Sequence, residues 1–289
     1  MITAFLDITV TGLIMGGTYA LIAVGLNLQY GVSRVLNLAH GEFIMLGTMA
    51  AYFFYTLFGI SPLISLIICA PLLFLIAIGV YKILFERIRK SSKSMVAFEG
   101  SSLLAAFGLS FVLQNAAALA FGSNTKAYSY LIQSVTFAGA TFAVNRLVAL
   151  FFSVVFCLAV YFFLSRTRMG KAIRATTQSL DTAQLMGINV YGVLGISFGL
   201  GAVLAGLAGV LLSPFSTISP FMGLQYIIIA LIVVVLGGLG NILGSLAAGL
   251  ILGFVGSIVM FIQPGFTLAA YYLVFLIVLL VKPTGIFAR

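Results

Sequence analysis

The chain has 289 residues, 63% of them hydrophobic and 7% charged, and its mean hydropathy is +1.26. A soluble domain carries about 25% charged residues, so water is excluded as the solvent of this chain and the bilayer takes its place. The formal charge of +9 comes from basic residues set between apolar runs, a pattern that argues against nucleic acid as a partner and for orientation against anionic headgroups.

Only helices or closed barrels satisfy their backbones in hydrocarbon. The apolar runs are continuous rather than alternating, which selects helices. In chain order the predicted spans are 8–29, 38–58, 61–83, 96–121, 143–164, 191–212, 224–240, 243–262 and 267–281. With the C-terminus cytoplasmic, nine spans place Arg34, Lys82, Arg87, Arg89, Lys90, Lys93, Arg166, Arg168, Lys171, Arg174, Lys282 and Arg289 inside. Only Lys126 and Arg146 of the fourteen basic residues are left outside, as the positive-inside rule requires. If segment 30–58 merely dips in and returns, the count becomes eight and the N-terminus moves inside. The N-terminal run has spanning length and no basic flank, so it reads as the first membrane helix rather than a cleavable signal. The fold class is an all-α polytopic membrane protein of eight or nine transmembrane helices, one membrane domain over 1–289.

The stretch "VLNLAHGEF" (35–43) holds the only histidine, His40, together with Asn37 and Glu42, one of five acidic residues. An ionisable group at mid-membrane costs about 2.5–3.5 kcal/mol on insertion scales, so His40, Glu42 and Glu99 are candidates for function. The span limits put all three near cytoplasmic helix ends, with Asn27, Asn37, Gln114, Asn115 and Gln225 as neutral polar groups. Asn37 and His40 are three apart and share a helical face, while Glu42 points elsewhere. Interhelix anchoring and a direct pathway role both remain open.

Between spans, residues 122–142 are polar, β-branched and aromatic, with "FAGATF" as a turn between short extended pieces; they read as an external cap. Residues 165–190 form the longest cytoplasmic segment. Lys171, Arg174, Gln178 and Asp181 line one helical face, and Met169, Ala172, Ile173, Leu180, Ala183 and Met186 favour the other. The reading is an amphipathic surface helix, broken once and stopped at Gly187. It could lie in the headgroups or enter a groove of a soluble partner.

Thirty-one glycines cluster late in the chain. Gly195 and Gly199, the group Gly237, Gly238, Gly240 and Gly244, and the pair Gly249 and Gly253 fall at the spacing that lets helices approach closely in lipid. "LGGLGNILG" reads either as a cytoplasmic turn or as a broken helix near a pathway. Cys69 and Cys157 sit inside apolar runs without metal-site spacing and read as packing residues. There is no HExxH, no nucleophile–base set and no P-loop motif, so neither a metal nor a nucleotide site is expected on this chain.

The stretch "YGVSRVLNLAHGEFIMLGTMAAY" (30–52) closely resembles the signature of permease subunits of branched-chain amino-acid ABC importers, specifically the smaller H-type permease of the Liv system; urea importer permeases carry a similar block. "GLSFVLQN" (108–115), "RTRMGKAIRATTQSLDTAQLMGINV" (166–190), "VLGGLGNILGSLAAGLILG" (235–253) and "KPTGI" (282–286) continue the resemblance in order along the chain. It implies the ABC importer permease fold in a bacterial inner membrane. It also implies a non-catalytic subunit that works with a second, larger permease, two cytoplasmic ATPases holding ATP and Mg, and a periplasmic binding protein. No cofactor is implied on this chain. By the same resemblance, segment 166–190 docks on the ATPase, with Arg166, Thr167, Gly170, Arg174, Ala183 and Gly187 as coupling residues. Asn37, His40, Gly41, Glu42, Gln114 and Asn115 become gate or pathway candidates. Glu99 departs from the family's motif. Branched-chain or other small amino acids are the implied cargo. Urea or short amides remain an alternative, as does a stand-alone proton-coupled carrier built on His40, Glu42 and Glu99.

Overall fold

The computed structural model describes residues 2–137 and 140–287, and most of them are helical. The elements in order are α1 (Ile2–Ser33), α2 (His40–Phe58), α3 (Pro62–Val80), α4 (Glu86–Ser91), α5 (Met95–Phe121), β1 (Ser134–Phe137), β2 (Ala140–Ala143), α6 (Val144–Arg166), α7 (Arg168–Gln178), α8 (Leu180–Leu185), α9 (Val190–Leu212), α10 (Gly223–Gly237), α11 (Ile242–Ile262) and α12 (Thr267–Val281). A single π turn, Tyr81–Phe85, joins α3 to α4 into one long helix. Among the described residues eight helices are long and apolar enough to cross a membrane.

The expected span 224–240 is the exception. It shrinks to the fifteen residues of α10, about 22 Å of helix, too short for a hydrocarbon layer of about 30 Å. It ends because Gly238 and Gly240 adopt φ of 89° and 84°, a left-handed turn that residues with a Cβ resist. "LGGLGNILG" is therefore a turn between α10 and α11, and Gly238 and Gly240 are turn residues rather than the helix-packing residues expected.

Contacts fix the direction of each helix. Arg89 donates to the Ser33 carbonyl at the end of α1. Lys90 lies over the ring of Tyr191 at the start of α9. Ile286 N–H donates to the Leu236 carbonyl (2.8 Å), and Asn241 Nδ2 to the Phe287 carbonyl (2.8 Å). These contacts gather the basic ends on one face, which is cytoplasmic by the charge rule; Arg289 lies outside the described residues. At the opposite end Ser257 Oγ donates to the Ile8 carbonyl (2.7 Å), and Lys126 and Ile218 form an isolated bridge. The N-terminal end of α1 is thus external. In segment 122–142, β1 and β2 pair antiparallel from Ser134↔Ala143 to Phe137↔Ala140; Ala138 and Gly139 of the expected turn lie outside the described residues. Burial pushes the Tyr128 phenol of this segment up to about 12, so it stays neutral beside Ser213 Oγ, 2.6 Å away.

Helices that begin at the cytoplasmic face carry their own caps. Ser94, Thr167, Ser179, Asn189 and Asn241 each accept a bond from the N–H three residues on, satisfying one otherwise orphaned donor. α4, α6 and α12 begin without a side-chain cap, and so do α2, after Ala39, and α10, after Met222. Of these, α2 and α10 start inside the bundle, where Gly41 and Gly223 meet. The centre is α1 crossed by α9, with α11 along α1 and α3 along α9. Helices α3, α5, α6 and α12 leave much of their apolar surface outward, as expected where lipid or another membrane chain covers it.

Candidate functional site

The first half of the site is a stretch of non-helical backbone at membrane depth. After Ser33 the chain turns at Arg34, whose φ is 56°, and re-enters the bundle. His40 Nε2 donates to the Ile22 carbonyl at 3.1 Å. Ile22 lies eleven residues back along α1, roughly 16 Å above its cytoplasmic end at 1.5 Å per residue. Residues 34–39 can reach at most about 20 Å, enough for the chain to climb alongside α1 before α2 begins. Freed backbone groups there need protein partners, and the polar residues of 29–40 supply them. Asn37 Oδ1 accepts from Ala39 N–H (3.1 Å), and Asn37 Nδ2 donates to Gln29 Oε1 (3.2 Å). Gln29 Nε2 continues to the Phe198 carbonyl on α9 (2.9 Å). Ser33 Oγ accepts from Val35 N–H (3.3 Å).

This geometry corrects the expected placement. Asn37 is not helical and shares no helix face with His40. Neither His40 nor Glu42 lies at a cytoplasmic helix end; both are fully buried at depth. Glu99, in contrast, is exposed at the start of α5.

The second half is the junction between the starts of α2 and α10. The Gly223 carbonyl occupies the space that a Cβ on Gly41 would need, and a Cβ on Gly223 would meet Glu42 Oε2 at 2.6 Å. The carboxylate therefore lies against the uncapped N-terminus of α10, where the helix dipole favours negative charge. Gln114 Nε2 on α5 donates to Glu42 Oε1 at 2.7 Å. Glu42 Oε2 and His40 Nδ1 have no hydrogen-bond partner among the described residues. Asn115, adjacent to Gln114, stays outside the junction: it is exposed and its Nδ2 bonds the Phe111 carbonyl of its own helix (2.8 Å).

The two halves are inverted copies in outline. α1 runs inward, is followed by re-entrant 34–39, and leads to α2, which starts at depth and runs outward past Gln114 to Phe121. α9 runs outward, is followed by 213–222, and leads to α10, which starts at depth and runs inward. α1 and α9 cross at Gly25 and Gly201, each carbonyl filling the place of the other's Cβ. Gly47 packs in the same way on the Gly206 backbone of α9. Of the other glycines named from the sequence, Gly195 faces the Tyr81 ring and Gly199 the Phe74 ring, while Gly237 and Gly244 face each other, Gly249 meets Ala20 and Gly253 meets Gly16.

The cytoplasmic segment forms two helices, α7 and α8, divided at Ser179. Thr167 Oγ1 accepts from Gly170 N–H (2.9 Å), and Gly170 fits against the Leu164 backbone with no room for a side chain. Ala183 is buried, and Gly187 takes φ 79°. Arg166 closes α6. Arg174 is exposed, within 3.4 Å of the Ser165 carbonyl. Met186, expected on the buried face, is 78% exposed beside Leu185 at 87%, so the tip of α8 presents an apolar pair to the cytoplasm. Among the described residues no three metal-ligating side chains gather anywhere in the molecule.

The residues that sequence reasoning missed are the partners. Gln29, Gly25, Gly201, Gly206 and Gly223 carry no motif that marks them, and Gly47 lies in the 30–52 stretch without having been singled out. Asn27, noted in the sequence only as a neutral polar group, gains its partners here: the two N–H of its Nδ2 are shared among the Gly238 and Asn241 carbonyls (3.1 and 2.9 Å) and Ser245 Oγ (2.6 Å), while its Oδ1 accepts from Gly240 N–H (2.5 Å). Its place mid-span marked it in the sequence; its partners, more than two hundred residues away, did not show there.

Comparison with known proteins adds the following. The family described as "Branched-chain amino acid transport system / permease component" matches residues 8–282. The high-affinity branched-chain amino acid transport system permease protein LivH of Salmonella typhimurium is 32% identical, with 99% of this chain and 96% of the relative covered. The corresponding BraD protein of Pseudomonas aeruginosa is 33% identical over the same shares. A probable LivH of Methanocaldococcus jannaschii is 29% identical over 86% of this chain and 78% of its own. No solved structure gives a significant match.

Proposed function

Because the chain belongs to the family of branched-chain amino acid transport permease components, as a profile match over 8–282 and identity of 32–33% across 99% of its length establish, we propose that it forms one half of an inner-membrane conduit for branched-chain amino acids, driven by ATP hydrolysed on other chains. The identity across almost the whole length carries this reading. The cargo is leucine, isoleucine or valine, delivered by a periplasmic binding protein. The second half of the conduit is a larger permease, and two cytoplasmic ATPases supply the work. The chain acts as a single membrane domain and performs no chemistry itself.

The apolar tip of α8, Leu185 and Met186, is the contact for an ATPase groove. α7 packs on α1, α6 and α9, so a push on α7–α8 reaches the α1–α9 crossing directly. There the half-helices α2 and α10 meet, held by Asn37, His40, Glu42 and Gln114 rather than by continuous helix. A junction of two helix ends can open with few broken backbone bonds, which supports it as the gate. ATP-driven movement shifts the gate only to the extent that the ATPase contacts its two states differently.

Uptake of labelled leucine by the reconstituted four-part transporter, with its binding protein, tests the proposal. Uptake is expected to need ATP and the binding protein, and to be competed by isoleucine and valine but not by urea. Transport by this chain alone, or competition by urea and not by valine, would overturn it.

A further inference from the structure

Helices α6 and α11 both pack on α1 but scarcely on each other, leaving a groove on the membrane side of the molecule. Within the bilayer the groove is a cavity of about 340 Å³ that exposes only apolar atoms, floored by Gly17 and Ala20 of α1 and walled by Val154, Leu158, Leu246 and Leu250. It shares Tyr161 and Leu243 with a second cavity of about 540 Å³ at the cytoplasmic end, where the lining turns polar: Asn27, Ser165, Arg174, Thr177, Gln178 and Asn241. That cavity shares Gly31, Thr177 and Asn241 with an adjoining cleft of about 610 Å³ that adds Arg34. Both arginines are exposed, and none of the five acidic residues lines any of the three spaces.

We propose that this groove is a binding site for an anionic phospholipid of the inner leaflet. One acyl chain lies between α6 and α11, and the phosphate is held at the cytoplasmic end by Arg34 and Arg174. Three features support this occupant. The lining changes from apolar to polar along the membrane normal, in the order tail then headgroup. The polar end carries two guanidinium groups without a carboxylate, which suits a phosphate through paired N–H donors. Basic pockets between transmembrane helices on the cytoplasmic side are a recurring headgroup site. The location also has a consequence: Arg174 belongs to α7 and Arg34 opens the re-entrant segment, so a bound headgroup bridges the cytoplasmic helix and the buried junction.

The test is native mass spectrometry of the assembled transporter purified in mild detergent and exchanged into mixed micelles of phosphatidylglycerol and phosphatidylethanolamine. The wild type is expected to retain phosphatidylglycerol selectively. The Arg34→Ala, Arg174→Ala double variant should lose that selectivity by roughly tenfold or more, and the double Arg→Lys variant should keep most of it. Leu158→Trp, at a half-exposed position in the apolar groove, should lower retention of both lipids. Equal retention of both lipids by wild type, or unchanged selectivity in the double alanine variant, would overturn the proposal. So would a photo-crosslinker at position 158 that captures a polypeptide, the outcome expected if a helix of the second permease fills the groove.

Discussion

Replacing Asn37 by leucine removes two hydrogen bonds while keeping the branching and heavy-atom count of the side chain. The side chain is fully buried; its Oδ1 satisfies Ala39 N–H and its Nδ2 satisfies Gln29 Oε1. The His40 N–H bond goes to the Asn37 backbone carbonyl (3.1 Å) and survives. Two buried polar groups are left without partners. Stranding a buried backbone N–H costs about 1–3 kcal/mol, and side-chain bonds between membrane helices average about 0.6 kcal/mol with a maximum near 1.7. The sum is about 2–4 kcal/mol. That is less than the stability of a typical folded domain, about 5–15 kcal/mol, so the variant should insert and assemble but hold re-entrant 34–39 loosely. The expected result is leucine uptake reduced several-fold at matched membrane levels, with an unfolding free energy in detergent lower by the stated amount. A cycle with Gln29→Leu should return a coupling of about 0.5–2 kcal/mol, as for groups in one network. Asn115→Leu serves as the comparison, since Asn115 bonds only its own helix and should shift stability by about 0.5 kcal/mol or less. Should Asn37→Leu keep wild-type uptake and stability within about 0.5 kcal/mol, the polar cluster does not hold the junction and the reasoning fails.

Gly47→Val should lower membrane yield and the unfolding midpoint, because any Cβ there lands on the Gly206 backbone, at a cost of about 3 kcal/mol or more; Gly79→Ala, where nothing lies within 4 Å, should be neutral or stabilise by up to about 1 kcal/mol, and the same two readouts distinguish them. Asn27→Ala should destabilise by about 2–3 kcal/mol, since one carboxamide holds the α10–α11 turn through both its nitrogen and its oxygen, read as a lowered unfolding midpoint. Leu185→Glu with Met186→Glu should leave the permease as stable as wild type, both residues being exposed, yet cut binding-protein-stimulated ATP hydrolysis by tenfold or more. His40→Leu should lower uptake while preserving assembly, because the Ile22 carbonyl it releases belongs to the body of α1.

Hydropathy and charge alone determined the solvent, the helical class, most span limits and the cytoplasmic side, because lipid tolerates few backbone solutions and basic residues report orientation directly. One break in 165–190 and the stop at Gly187 were legible for a similar reason, since left-handed turns are local chemistry written in residue type; the position of the break, at Ser179, came from the structure. The depth of His40 and Glu42 was not legible. An apolar run reads as helix wherever it begins, so 38–58 gave no sign that 34–39 climbs non-helically beside α1 or that α2 starts inside the bundle. Likewise 224–240 counted as a span until two positive-φ glycines cut α10 short. The pairing of Asn37 with Gln29, Glu42 with Gln114 and the start of α10, and Asn27 with a turn more than two hundred residues away exists only in three dimensions. Hydrogen bonds and glycine contacts between distant helices depend on which faces meet, and that is decided by the packing of the whole bundle rather than by any segment of the chain.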